Sequence, residues 1–269
     1  DLEVSKIEIK PNIMRFEEKD YALVESLMRK AGQLGLLAVS IPEKYHGLGM
    51  GFNTGMLICE EISSLTGSLA TAFGAHTGIG TLPILLYGNE EQKNYYLPKI
   101  SSGEWISCYN LTEPDAGSDA NSGKTKAVLT SDGEHYEITG QKIWISNAGF
   151  AHVVIVFARI EDDKNITGFV FEKDKVEGLT LNPEEAKLGI RSSSTRQVFY
   201  NKVRMTALSG SADLPSNYTA IISQSAERAE LQNCSYTKIG IVSSRYEGTR
   251  TSKAGNFYEF NEDIFEEKV

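Results

Sequence analysis

The chain has 269 residues, enough for one large or two modest domains, and at 41% hydrophobic and 23% charged it is ordinary globular material able to bury a sizeable core. Its 27 basic and 36 acidic residues leave a net charge of −9, which argues against nucleic acid and anionic membranes as partners and leaves room for a local basic patch. No signal peptide, transit peptide or long apolar run reads from the text, so a soluble protein without a transmembrane segment is expected. Three cysteines without CxxC spacing (Cys59, Cys108, Cys234) predict reduced thiols in a cytosol-like compartment.

Phe16, Leu23, Val24, Leu27, Met28, Ala31 and Leu34 recur at helical spacing and predict a helix over 16–37, with Gly35 near its end. Pro42, Gly47, Gly49 and Gly51 mark a loop. Gly47-x-Gly49 lacks a third glycine in place and follows a helix, so a Rossmann dinucleotide site is not expected. Asn53 or Thr54 would cap a helix through Met56, Ile58, Ile62 and Leu65; Gly67-Ser68 breaks it, and 69–80 reads as a helix of small residues. Residues 83–87 read as a short apolar turn with Gly88 at a C′ position, and Asn89-Glu90-Glu91-Gln92 as the capping box of a last short helix to Leu97. Residues 1–103 are therefore expected to be all-helical.

At Trp105 the period changes from helical to two. Strands are predicted over 105–112, 124–130, 135–140, 142–146, 152–160, 166–172 and 196–204, with Asp132-Gly133 as a tight turn and 159–165 as a polar hairpin tip. The spacing and antiparallel turns point to a β-barrel or sandwich rather than βαβ units. After Met205, residues 206–217 read as a linker and 218–231 as helix-compatible. The expected fold class is α+β: an N-terminal all-helical domain over 1–103, a middle antiparallel β domain over 104–205, and an incomplete C-terminal helical remnant over 206–269.

Two stretches carry the chemistry. Tyr109-Asn110-Leu111-Thr112-Glu113-Pro114-Asp115-Ala116-Gly117-Ser118-Asp119 starts as a strand and breaks. Pro114 stops the strand, Gly117 permits backbone that residues with a Cβ avoid, and Thr112, Ser118 and Asp119 surround the break. Such a turn presents hydroxyls and free N–H groups to a ligand rich in acceptors. Gln141-Lys142-Ile143-Trp144-Ile145-Ser146-Asn147-Ala148 should place Trp144 and Ser146 on one strand face, an aromatic surface beside a hydroxyl that suits a flat heterocycle. Residues 117–125 echo a P-loop, but five residues separate the glycines where four are required, and an alternating strand follows where a helix is needed. His46, His76, His135 and His152 show no metal-ligand spacing, so structural roles and no metal are expected.

In order and together, the two stretches resemble the flavin-binding signatures of the acyl-CoA dehydrogenase family, Tyr/Phe-x-x-Thr-Glu-Pro-x-Ala-Gly-Ser-Asp and a later Trp-Ile-Thr/Ser-Asn. The resemblance runs from about Phe16 to Met205 and takes in Leu188-Gly189-Ile190-Arg191-Ser192-Ser193-Ser194-Thr195. Arg245-Tyr246-Glu247-Gly248-Thr249 looks like the family's Tyr/Phe-Glu-Gly-Thr motif, although Arg250-Thr251 departs from the polar or acidic continuation usual there. The resemblance implies FAD as cofactor, held by Tyr109, Leu111, Thr112, Gly117, Ser118, Trp144, Ile145, Ser146 and Thr249. It implies an acyl-CoA substrate contacted by Ser118 and Gly248, with Glu247 as the catalytic base. The implied reaction is α,β-dehydrogenation of the thioester to trans-2-enoyl-CoA in fatty acid β-oxidation: Glu247 takes the α-proton, flavin N5 takes the β-hydride, and an electron-transfer flavoprotein accepts the electrons. A homo-oligomer, dimer or tetramer, in the bacterial cytoplasm or the mitochondrial matrix is implied as well. A non-catalytic flavin or acyl-CoA-binding scaffold of the same fold, or an acyl-CoA oxidase, is the alternative. The family's C-terminal four-helix bundle needs roughly a hundred residues, whereas 64 follow Met205. The wording of 74–80 is reminiscent of the long-chain branch.

Overall fold

The computed structural model describes residues 8–163 and 165–206, together with the backbone of the two-residue strand 220–221. Cys234 and the expected catalytic segment Glu247, Gly248 and Thr249 lie outside the described residues, as does nearly all of the expected C-terminal remnant.

Helices come first, as expected: α1 (Ile13–Glu17), α2 (Tyr21–Gln33), α3 (Phe52–Ser63), α4 (Gly67–Thr77), α5 (Leu82–Tyr87) and α6 (Glu90–Ser101). The helix expected over 16–37 is two. Lys19 turns into the left-handed region at φ 64°, and Asp20 restarts the helix by accepting the Leu23 N–H at 2.9 Å. Phe16 and Leu23 stay seven residues apart across this break, which conceals it from an apolar-spacing rule. Residues 83–87, expected as a turn, lie in α5. Pro83 sits in its first turn, where a missing N–H is not needed. At α6 the capping box forms as read: Asn89 accepts from the Gln92 N–H and Gln92 from the Asn89 N–H, each at 2.8 Å. The helix then runs past Leu97 through Pro98 to Ser101.

The stretch Gly67–Tyr87 has 21 residues and contains an 18-residue window of mean hydropathy 1.4, long and apolar enough to cross a membrane by length and composition alone. It is folded as α4 and α5, of 11 and 6 residues, and turns between them at 78–81. Buried His76 of α4 is fastened to the sheet: the Ser107 N–H donates to its Nδ1 at 3.1 Å.

The sheet half contains β1 (Ser107–Asn110), β2 (Lys126–Leu129), β3 (His135–Ser146), β4 (Val153–Ile160), β5 (Ile166–Glu172), β6 (Leu179–Leu181), β7 (Thr195–Thr206) and β8 (Ala220–Ile221). They pair in the order β6-β7-β3-β2-β4-β5-β8, with β1 also on β4. The wholly antiparallel arrangement expected gives way to a mixed sheet. β1 and β2 both run parallel to β4 along the same side of it, with Ser107 opposite Val153 and Lys126 opposite Arg159. Between those pairs β4 advances six residues while the facing chain advances nineteen, so thirteen residues leave the sheet and return to the neighbour they left. That excursion is the broken strand picked out in the sequence.

The strands expected over 135–140 and 142–146 are one strand, β3, paired with β7 along its length. Two irregularities interrupt the pairing. Between Ile138 and Gly140 the extra residue is on β7, where Lys202 has φ 52°; between Lys142 and Ile145 it is on β3, where Trp144 has φ 57°. Gly140 itself has φ 157°, and a Cβ there would collide with Thr125 at the end of the excursion.

Apolar packing joins the halves. Phe16, Val24, Met28, Leu69 and Phe73 of the helices bury against Ile106 and Phe150, while Ile84, Tyr96, Leu97 and Ile100 bury against Val153, Ile155 and Val170 of the sheet. The sheet has a third cluster of its own, built on Cys108, Val154, Phe169, Phe171, Val198 and Tyr200.

Candidate functional site

The excursion leaves β1 at Asn110, which is buried and donates through Nδ2 to the Tyr200 hydroxyl. Leu111 and Thr112 follow, half-buried. Glu113 and Ala116 then exchange both backbone hydrogen bonds, at 2.9 and 3.1 Å, and close a tight turn with Pro114 and Asp115 at its tip. Beyond the turn Gly117, Ser118 and Asp119 are exposed, and a Cβ on Gly117 would meet nothing within 4 Å. A short 3-10 turn at Ala120–Ser122 leads back to strand β2, so the P-loop echo opens no α-helix.

Glu113 ties both ends of this excursion. Its carboxylate accepts from the Lys124 N–H at 2.6 Å and the Thr125 N–H at 3.1 Å at the returning end, and pairs with Lys142 Nζ of β3 at 2.6 Å. Lys142 Nζ also donates to the Leu111 carbonyl at 3.0 Å at the departing end. The two side chains are 6% and 2% exposed. Burial by itself would push the Glu113 carboxyl up, but the Lys142 ammonium and the Thr125 and Lys124 donors together hold it below the usual carboxylate range. Burial pulls the Lys142 ammonium down against the opposing pull of Glu113. Neither residue stands out as a site residue in the sequence. The available signal is Lys142 at the same inward parity of β3 as buried Ile138, a position where an alternating strand should carry an apolar side chain.

One residue past Lys142, the Ile143 N–H donates to the Thr112 carbonyl at 2.9 Å, so β3 and the broken strand share backbone hydrogen bonds. Trp144 follows in the left-handed region, a conformation costing about 1–2 kcal/mol for a residue with a Cβ, and the residue is 64% exposed. The bulge therefore decides which way the indole faces, and plain alternation does not. Ile145 is buried in the sheet core, so its backbone rather than its side chain is available to a ligand; Ser146 is half-buried opposite Thr195. Asn147, again left-handed at φ 66°, is fully buried and donates to the Ala72 carbonyl at 2.9 Å and the Ser107 carbonyl at 3.4 Å. It anchors the indole-bearing strand to α4. Tyr109 packs its half-buried ring 4.9 Å from that of Phe157.

The donor set fits a flat, acceptor-rich cofactor with a phosphate-bearing tail. The N–H groups of Leu111, Thr112, Gly117 and Ser118 are taken by no backbone carbonyl among the described residues, and an exposed indole is held in a conformation that favours glycine on the strand next to them. Other clusters are occupied by protein groups. Asp132, Glu134 and His135 gather within 4.8 Å, but Arg204 donates to Asp132 at 2.9 Å and lies 3.2 Å from His135 Nδ1. Burial pushes the Cys108 thiol up to about 12, so it stays protonated; Cys59 is half-buried.

Two family models match the chain: "Acyl-CoA dehydrogenase, N-terminal domain" over residues 3–104 and "Acyl-CoA dehydrogenase, middle domain" over 108–203. A probable acyl-CoA dehydrogenase of Bacillus subtilis is 44% identical over 198 residues, which are 74% of this chain and 33% of the relative. The crystal structure of an acyl-CoA dehydrogenase complexed with FAD from Bacillus anthracis superposes with a TM-score of 0.70 at 42% identity, covering 74% of this chain and 34% of that one. A chain in the solved structure of the electron transferring flavoprotein of Acidaminococcus fermentans superposes with a TM-score of 0.69 at 30% identity, covering 76% of this chain and 53% of that one. The chain spans about a third to a half of the length of the curated relatives it matches.

Proposed function

Because the chain belongs to the acyl-CoA dehydrogenase family, we propose that it holds FAD at the mouth of the excursion and serves the α,β-dehydrogenation of an acyl-CoA thioester to trans-2-enoyl-CoA. The observation that carries this reading is the exposed Trp144 indole, held left-handed on a strand hydrogen-bonded to a loop with free N–H groups. When bound, FAD accepts the β-hydrogen and the electron pair. The Thr112 hydroxyl and the Leu111 and Thr112 N–H groups orient its polar edge, and Tyr109 backs them. Trp144 covers the ring system and excludes water, with the Ile145 backbone and Ser146 beside it. Gly117 and Ser118 leave room for the phosphate-bearing tail, and Ser118 also contacts the acyl-CoA.

The base is Glu247, whose carboxylate takes the α-proton, with the Gly248 backbone beside the thioester and Thr249 beside the cofactor. These three roles rest on the motif alone. A glutamate in an apolar acyl pocket is a stronger base because desolvation raises its pKa. The division into 1–103, 104–205 and 206–269, a homo-oligomeric assembly, an electron-transfer flavoprotein as acceptor, and a bacterial cytoplasmic or mitochondrial matrix location belong to the same proposal. The superposition on a chain of the Acidaminococcus flavoprotein structure supports the choice of acceptor.

The test is optical. Protein loaded with FAD should be yellow and lose its flavin absorbance anaerobically on addition of acyl-CoA. Glu247→Gln should keep the colour and lose the bleaching. A protein that takes up no FAD would sink the reading.

A further inference from the structure

We propose that Lys142 and Glu113 are positioning residues for the cofactor: they set the Leu111–Thr112 peptide so that its N–H faces the flavin. This rests on the flavin reading above. A trans peptide is planar, with its C=O and N–H pointing in opposite directions. The Leu111 carbonyl accepts from buried Lys142 Nζ at 3.0 Å, so the Thr112 N–H of that same peptide points away from the interior. The next peptide is fixed in its turn, because the Thr112 carbonyl accepts from the Ile143 N–H at 2.9 Å. Lys142 is held in place by Glu113 at 2.6 Å, and Glu113 by the Lys124 and Thr125 N–H groups. One connected set of bonds thus orients a donor on the excursion and adjoins the bulge that turns Trp144 outward.

Stability alone does not account for this pair. Replacing a buried ion pair with apolar side chains of similar volume is often neutral or stabilising. What apolar side chains cannot supply is a donor for the Leu111 carbonyl, and without one that peptide loses the bond that sets its direction. Lys142 contacts neither cofactor nor substrate in this account; it acts through residues 111 and 112.

The experiment compares wild type with the double variant Lys142→Met/Glu113→Gln, which removes both charges. Three quantities are read: urea stability of the apoprotein, FAD dissociation constant, and the visible circular dichroism of bound flavin. The double variant should fold with stability close to wild type yet bind FAD about twofold to tenfold more weakly, the range for losing one neutral hydrogen bond, and its flavin band should change shape. Wild-type affinity with an unchanged band overturns the proposal and leaves the flavin reading standing. Wild type that binds no FAD overturns both. Lys142→Gln/Glu113→Gln keeps a neutral donor for Leu111 and should fall between wild type and the first variant. If neither double variant folds, the pair belongs to stability and the proposal falls.

Discussion

At the seam between helices and sheet, the buried side chains of His76, Asn147 and Ser192 bond as neutral groups, while the buried Glu172 carboxylate accepts from the Tyr95 hydroxyl at 2.6 Å. His76 accepts from the Ser107 N–H at Nδ1, and its Nε2 lies 3.2 Å from the Ile100 carbonyl, which places the proton on Nε2. Asn147 donates to Ala72 and Ser107, and Ser192 donates to the Phe16 carbonyl. His152 accepts from the Ile106 N–H at 3.2 Å, and burial with the Arg29 and Lys173 charges holds its pKa down. At the mouth of the excursion the buried contact is instead an ion pair, Lys142 with Glu113. Neutral donors and acceptors carry the smaller desolvation penalty, and that suffices where two layers need only be held together. A buried charge pair costs more and is retained where one peptide has to face one way.

The largest effect that could break this contrast is the pH dependence of the seam. Burial pushes the His76 pKa down to about 4, against an ordinary 6.5. The unfolded chain therefore binds a proton that the folded one refuses between those values. Stability from this group is complete above pH 6.5 and is lost as pH falls toward 4, by roughly 3 kcal/mol. Urea midpoints at pH 7 and pH 4.5 should show the loss, and His76→Gln should flatten it; an unchanged slope in that variant would mean His76 is not held neutral there.

Asn147 sharpens the contrast at the next level down. Asn147→Ala removes the amide's two hydrogen bonds and puts at φ 66° a residue that tolerates the left-handed region less well than Asn, for a cost of about 2–3 kcal/mol. Asn147→Gly loses the same hydrogen bonds but suits the backbone, and should cost about 1 kcal/mol less. Equal thermal midpoints for the two variants would show that the left-handed conformation contributes nothing. The smallest effect has the opposite sign. Trp144→Gly should stabilise the apoprotein by about 1 kcal/mol, because an exposed side chain is lost and left-handed strain is relieved. It should weaken FAD binding at the same time, and a destabilised apoprotein would count against strain at this residue.

Much of the scaffold is legible in the residue order. The Asn89–Gln92 box, the change of period at Trp105 and the strand 166–172 all stand in the structure where the pattern puts them. What escapes is whatever adds or hides a residue. A seven-residue apolar spacing masks the restart at Asp20, and an alternation rule has no symbol for the extra residue before Ile145. The site shows the same division. Its letters are plain in the motifs, but the Lys142–Glu113 contact spans 29 positions in the chain and joins two residue types that a one-dimensional reading assigns to solvent.

The return of β2 to the side of β4 that β1 left gives the fold a socket. With both rims fastened and Asn121 accepting from the Ile166 N–H at 3.2 Å, residues 114–123 form a loop whose shape is set from three sides, so a ligand meets a backbone already arranged for it.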